Sequence, residues 1–195
     1  MVSSLFILGG ARSGKSRFAV SDAARAGRVA FVATARAADD DMARRIARHR
    51  AERPRHWKTV EEPYDLVQHL TGLEDAFDAV VVDCLTLWVS NCLLRGDTDD
   101  AILDEAEALA KLVGRLGRRA TSFTVVSNEV GEGVHPETAM GLRFRDLLGF
   151  VNQRVAAACD RVVLMVAGVP LTIKAVATPR PPTGSVRPDD ALHSP

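Results

Sequence analysis

The chain has 195 residues, 47% of them hydrophobic, and its 25 Lys+Arg balance 25 Asp+Glu. That length suits one domain with a sizeable core, and the apolar content excludes a disordered chain. A net charge of zero gives no bulk electrostatic argument for a nucleic-acid or membrane partner.

Cys84, Cys92 and Cys159 form an odd set without C-x-x-C spacing. They read as free thiols of a reducing, cytoplasmic setting and not as a disulfide framework or zinc site. The N-terminus carries no charged leader region, and no apolar run reaches the length of a membrane span. Neither a signal peptide nor stable membrane insertion is expected.

Val2, Leu5, Phe6, Ile7 and Leu8 form a short apolar run that predicts a buried parallel strand ending at Gly9. Gly9, Gly10, Ala11, Arg12, Ser13, Gly14, Lys15 and Ser16 then match G-x-x-x-x-G-K-[ST], the P-loop. Gly9 and Gly14 permit backbone conformations that a Cβ would forbid, so successive N–H groups can face phosphate oxygens. Lys15 is suited to the β- and γ-phosphates and the Ser16 hydroxyl to a Mg²⁺ ion between them. A helix over 17–25 supplies the positive end of its dipole.

Arg28 to Ala33 reads as the second strand. Asp39, Asp40 and Asp41 open a helix that runs to Arg53, acids at an N-terminus being favoured by the dipole. Trp57 to Val60 predicts a short strand, and Pro63 to Leu70 a helix with proline in its first turn. Ala79 to Asp83 is the clearest buried strand; helices follow over 85–94 and 100–116. Thr121 to Ser127 is a strand, Asn128 to Gly133 a loop, and Thr138 to Ala158 a helix. Arg161 to Val166 and Val169 to Val176 form a closing pair joined at Gly168. This alternation predicts an α/β fold with a mainly parallel sheet covered by helices. Residues 1–176 make one domain, and 177–195, which hold five prolines, read as a disordered tail.

Two further groups carry chemistry. Asp83 closes an apolar strand, the place of the second metal carboxylate in P-loop proteins; the competing reading is a cap for the following helix. Between Arg44 and Lys58 lie Arg44, Arg45, Arg48, His49, Arg50, Arg53, Arg55 and His56. On a helix, Arg45 and Arg53 share a face with His49. Either this is a solvated basic helix, or the arginines bind a triphosphate and disfavour protonation of His49, leaving a nucleophilic imidazole. No aromatic platform or RNA-binding motif accompanies the cluster, which argues against nucleic acid.

The ordered motifs go further. They include Gly9 to Ser16, Ala33-Thr34-Ala35, Asp40-Asp41-Met42, His49-Arg50 and Arg53-Pro54-Arg55-His56-Trp57. Asp83 to Trp88 with Asn91, Ser127 to Gly131, Phe144-Arg145-Asp146 and Asn152-Gln153 continue them. Together they resemble the bifunctional adenosylcobinamide kinase / adenosylcobinamide-phosphate guanylyltransferase family of cobalamin biosynthesis, over about Leu5 to Lys174. The resemblance implies a RecA-like P-loop NTPase core and a homotrimer. It also implies phosphorylation of adenosylcobinamide by ATP or GTP, then transfer of GMP from GTP through a GMP–histidine intermediate, with Mg²⁺. It puts the histidine on His49 and nucleotide contacts on Gly9 to Ser16, on Thr34, Ala35 and Arg36, on Arg50, Ala51, Glu52 and Arg53, and on Glu61 and Asp83. Ser16 and Asp83 would hold the metal. Glu61 can accept hydrogen bonds from the guanine N1–H and amine; the plainer reading is a surface acid. Two readings compete with this family: a single-function small-molecule kinase, and a nucleotide-dependent switch.

Overall fold

Residue-by-residue burial explains why the strands are such continuous apolar runs: the sheet is covered on both faces. A computed structural model describes residues 4–37, 39–73, 76–116 and 121–175. The tail expected over 177–195 lies outside these described residues.

In chain order the elements are β1 (Ser4–Gly9), α1 (Lys15–Ala23), β2 (Val29–Ala33), α2 (Asp40–Ala51), β3 (Lys58–Glu61), α3 (Leu66–Thr71) and β4 (Ala79–Asp83). Then come α4 (Leu85–Arg95), α5 (Asp99–Leu116), β5 (Ser122–Val126), α6 (Ala139–Ala158), β6 (Arg161–Val166) and β7 (Val169–Lys174). The seven strands form one sheet in the order β3-β2-β4-β5-β1-β6-β7. All pairs are parallel except the terminal hairpin β6–β7. The expected mainly parallel architecture is present.

Alternate residues of the same strands feed two cores. Phe6, Val80, Val82, Phe123 and Val125 pack beneath Leu66, Trp88, Leu109 and Leu148 of α3 to α6. Leu5, Ile7, Phe31 and Val81 face the other way, onto Ala19 and Ala23 of α1 and onto Trp57. The small residues Ala19 and Ala23, one turn apart, let α1 sit close to the sheet.

Two helix starts follow capping chemistry legible in the sequence. Asp39 accepts from the Met42 N–H at 2.7 Å, and Thr138 accepts from the Gly141 N–H at 3.0 Å. α3 differs from expectation: it begins at Leu66, three residues after Pro63. The Glu62 carboxylate accepts from both the Tyr64 and Asp65 N–H groups at 2.9 Å, holding that stretch as a turn before the helix.

At the amino edge, Arg28 and Asp78 tie β2 to β4. Asp78 accepts from the Arg28 N–H at 2.8 Å and from its guanidinium at 2.9 Å. These bonds hold the Asp78 carboxyl below its ordinary range. A depressed carboxyl contributes stability above its unfolded pKa and loses it as pH falls through the folded value. Asp78→Asn is therefore expected to lower Tm at neutral pH, with the gap to the parent closing as the pH drops below about 4; thermal melts across pH check this.

Candidate active site

The register assembles the site. Ala33 pairs with Glu61 on one side and with Asp83 on the other, Asp83 pairs with Val126, and Val126 with Ile7. Glu61, Ala33, Asp83, Val126 and Ile7 thus make one row along the carboxyl edge of the parallel strands. The P-loop rises from this edge two residues past Ile7. Ligands bind at this edge in open α/β sheets.

The P-loop is built around left-handed backbone. Gly9 has φ +145° and Gly14 φ +96°, and Arg12 also takes a positive φ of 59°. A Cβ on Gly9 would lie 2.5 Å from the Met165 carbonyl oxygen and 2.8 Å from Ser13 Oγ. Lys15 Nζ donates to the carbonyls of Gly9 at 2.9 Å and Gly10 at 2.6 Å. Burial lowers the Lys15 pKa, with Cys84 and Asp83 acting in the opposite sense. The hairpin turn between β6 and β7 braces the loop, the Gly168 N–H donating to the Ser13 carbonyl at 3.0 Å.

Asp83 is half-buried, and its carboxyl is raised above the ordinary range chiefly by desolvation. The nearby Ser16 hydroxyl and the charges of Arg53, His49 and Lys15 act in the opposite sense. The capping alternative does not hold, since α4 is capped by Cys84 with no side-chain bond. The Asp83–Cys84 peptide is cis.

Two observations test the fit of a phosphate and a metal. Ser13 Oγ is buried without a hydrogen-bond partner, inside a loop whose glycine at position 9 leaves no room for a side chain. A phosphate oxygen would satisfy that hydroxyl. Ser16 and Asp83 bring two hard oxygen donors together, and among the described residues no cluster of three or more His, Cys, Asp or Glu could hold a metal alone. A sparse oxygen set that relies on substrate phosphates suits Mg²⁺ and not zinc.

The basic helix is turned toward this edge. Met42, Ile46, His49 and Arg53 are less exposed than the residues between them, and their spacing of three to four residues makes one inward stripe. The Arg45 side chain, expected on the same face, lies outside the described residues. His49 Nδ1 stands 3.5 Å from Glu52 Oε2. The Arg53 guanidinium lies 3.7 Å from the centroid of the Phe31 ring. Its pKa is lowered by burial, partly offset by Asp83. Among the described residues Arg53 makes no ion pair, so its charge is available to a ligand. Arg50 Nη1 lies 3.8 Å from Glu61 Oε1.

Relatives sharpen this picture. A family described as "Cobinamide kinase / cobinamide phosphate guanyltransferase" matches residues 5–173. The chain belongs to that family. Among its relatives is the "Bifunctional adenosylcobalamin biosynthesis protein CobP" of Pseudomonas aeruginosa. That protein is 47% identical over 169 residues, covering 86% of this chain and 95% of the relative. The "Bifunctional adenosylcobalamin biosynthesis protein CobU" of Salmonella typhimurium is 38% identical over 87% of this chain and 99% of its own. The fold is shared more widely. A "prototypical ATPase from the type III secretion system of pathogenic bacteria" superposes with a TM-score of 0.53 at 13% identity, over 87% of this chain and 56% of that one. This cobinamide kinase / guanyltransferase family member thus shares the fold of that ATPase over most of its length.

Against that fold, Gly9 to Ser16, Asp83, His49 and Arg53 converge on one edge. Ala35 and Arg36 are the more open part of the segment after β2, whereas Thr34 is fully buried with its hydroxyl bonded to Cys84. Ala51 and Glu52 are exposed at the end of α2. Among the other described histidines, His69 lies near Glu62 and His135 bonds Arg145, while His56 is exposed. Burial pushes Cys84 up to about 11 and Cys92 and Cys159 to about 12, so these thiols are poor nucleophiles. Sequence reasoning assigned no role to Asn91, whose buried amide joins two edge segments. Its position inside an apolar helix was the available signal.

Gly9→Ala places a Cβ against backbone as well as at a disfavoured φ. It is expected to cost about 1–3 kcal/mol of stability and to weaken nucleotide binding more than tenfold. Gly10→Ala, whose Cβ would meet nothing within 4 Å, should leave Tm near the parent. Melting curves and GTP titrations of both variants check the contrast.

Proposed function

We propose that this family member runs two reactions at a single triphosphate site: phosphorylation of adenosylcobinamide, then guanylyl transfer to the product. Convergence of P-loop, Asp83 and His49 on one sheet edge carries the reading. In the kinase step the P-loop N–H groups, Lys15 and the Ser13 hydroxyl hold the donor phosphates, ATP or GTP. The aminopropanol hydroxyl of adenosylcobinamide attacks the γ-phosphorus, its proton is lost, and the nucleoside diphosphate leaves. Bound Mg²⁺ would neutralise phosphate charge, with Ser16 and Asp83 as its protein ligands.

In the second step the same loop holds the β- and γ-phosphates of GTP. His49 Nδ1 lies beside Glu52, which favours the tautomer protonated there and leaves the Nε2 lone pair free. Nε2 attacks the α-phosphorus, the bond to pyrophosphate breaks, and GMP is held on the histidine. A phosphate oxygen of adenosylcobinamide phosphate then attacks that phosphorus. The P–N bond breaks and adenosylcobinamide-GDP forms, freeing His49. Arg50 and Arg53 balance the triphosphate charge beside the segment Thr34, Ala35 and Arg36. Glu61 accepts from the guanine edge, roughly 10 Å from Asp83 by two strand spacings. Free thiols support a cytoplasmic setting for this chemistry, and among the described residues no helix is long and apolar enough to cross a membrane.

GTP labelled at the α-phosphate is expected to leave acid-labile, alkali-stable label on the protein, and added adenosylcobinamide phosphate to remove it. His49→Ala should take up none; label equal to the parent's would refute the nucleophile. Glu61→Gln should narrow the preference for labelled GTP over labelled ATP by about tenfold or more, and an unchanged preference would refute the guanine contact.

We propose that a homotrimer forms through the exposed sheet edge. Val169, Leu171 and Ile173 of β7 are 66%, 58% and 57% exposed, and Val166 joins them. An unpaired apolar edge strand invites pairing or packing with a further copy. Sedimentation should give three chains per particle, and Leu171→Glu should release smaller species; a monomeric parent would refute the assembly.

A further inference from the structure

Thr34 and Asn91 are buried polar residues at the reacting edge that neither proposed reaction touches. Thr34 Oγ1 accepts from the Cys84 N–H at 2.8 Å and donates to the Cys84 carbonyl at 2.7 Å. The Thr34 N–H donates to the Asp83 carbonyl at 3.1 Å. One side chain therefore satisfies both backbone groups of the residue that follows Asp83. Asn91, two turns into α4, donates from Nδ2 to the Thr34 carbonyl at 2.8 Å and to the Pro63 carbonyl at 3.2 Å. Because α4 starts directly after Cys84, these bonds close a ring: Asp83, Cys84, α4, Asn91, Thr34 and back to Cys84. Pro63 attaches the end of β3, two residues past Glu61, to the same ring.

Such a ring is costly to open, since buried groups that bond one another would be left less satisfied; the Cys84 carbonyl keeps only its bond from the Trp88 N–H at 3.2 Å. It also removes independent motion among three segments: the end of β2, the carboxylate Asp83, and the Glu61 segment. A hydrophobic set of the same volume could pack here, but it would leave the Cys84 N–H and carbonyl without these bonds.

We propose that Thr34 and Asn91 are positioning residues. Their buried hydrogen-bond ring holds Asp83 against Ser16 for Mg²⁺ and keeps the Glu61 segment in line with it, so one lock sets the geometry of both half-reactions. The proposal rests on the assignment of Asp83 to the metal, and the test separates the two.

GTP affinity is measured by calorimetry with and without Mg²⁺ for the parent, Thr34→Val, Thr34→Ser, Asn91→Ala and Asp83→Asn. Thr34→Val is expected to reduce the Mg²⁺-dependent gain in affinity about 10- to 100-fold, a larger loss than any in metal-free binding. Thr34→Ser, which keeps the hydroxyl, should restore the gain. Asn91→Ala, which opens the ring at one donor and admits water, should show a smaller loss of the same kind and serves if Thr34→Val does not fold. A parent-like Mg²⁺ response in the folded variants overturns the proposal. So does equal weakening with and without metal, or failure of serine to rescue. If Asp83→Asn abolishes the response while Thr34→Val keeps it, only the positioning role falls. If Asp83→Asn keeps the response, the metal assignment falls and takes the proposal with it.

Discussion

The Ser16 hydroxyl meets the Asp83 carboxylate across an intervening strand, because β5 lies between β1 and β4. The proposed chemistry of both steps depends on that meeting. A desolvated carboxylate at a sheet edge is expensive unless hydrogen bonds and opposite charge compensate it. Here the Ser16 hydroxyl lies near it, and the charges of Arg53, His49 and Lys15 favour its ionised form. The surrounding charges are the ones a nucleoside triphosphate needs. In the proposed reactions the electrostatic cost of the free carboxylate and the binding of substrate and Mg²⁺ are two sides of one arrangement.

The sheet supplies the rigidity that this arrangement requires. Strands buried on both faces fix the row from Glu61 to Ile7, so distances along the edge are multiples of the strand spacing. Gly9 and Gly14 then let the chain fold back close to the edge, where side-chain bulk would collide with Met165 or force a strained φ. α2 lies on the P-loop side of this frame and contributes through a single stripe. Its outer arginines are solvated or near acids, as with Arg44 and Asp41, while His49 and Arg53 point at the edge. This division answers whether the run of basic residues is a plain solvated face. It is one on its outer side, and its inner side belongs to the proposed site.

Much of this was readable in the chain. Parallel strands announce themselves as apolar runs, because both faces are covered, and β4 was read with the boundaries it has in the structure. The acids Asp39, Asp40 and Asp41 announced the start of α2. The start of α3 was not readable, because Glu62 captures two N–H groups that the helix pattern assigned to its first turn. Thr34 looked like a ligand contact from its place after a strand. Its hydroxyl is instead engaged by Cys84, fifty residues away in sequence, a pairing with no local signature.

The linear order of residues by itself determined the phosphate loop, the strand-terminal acid, the histidine among arginines and the family. Each is a pattern of residue types at short, fixed spacing, set by local backbone geometry. Tertiary structure alone decided which of these share a site. Strand order and register are set by cross-strand hydrogen bonds and by packing of both cores, and these join residues far apart in the chain. They brought Asp83 to Ser16, turned His49 toward the same edge, and placed Thr34 and Asn91 behind Asp83 as its support.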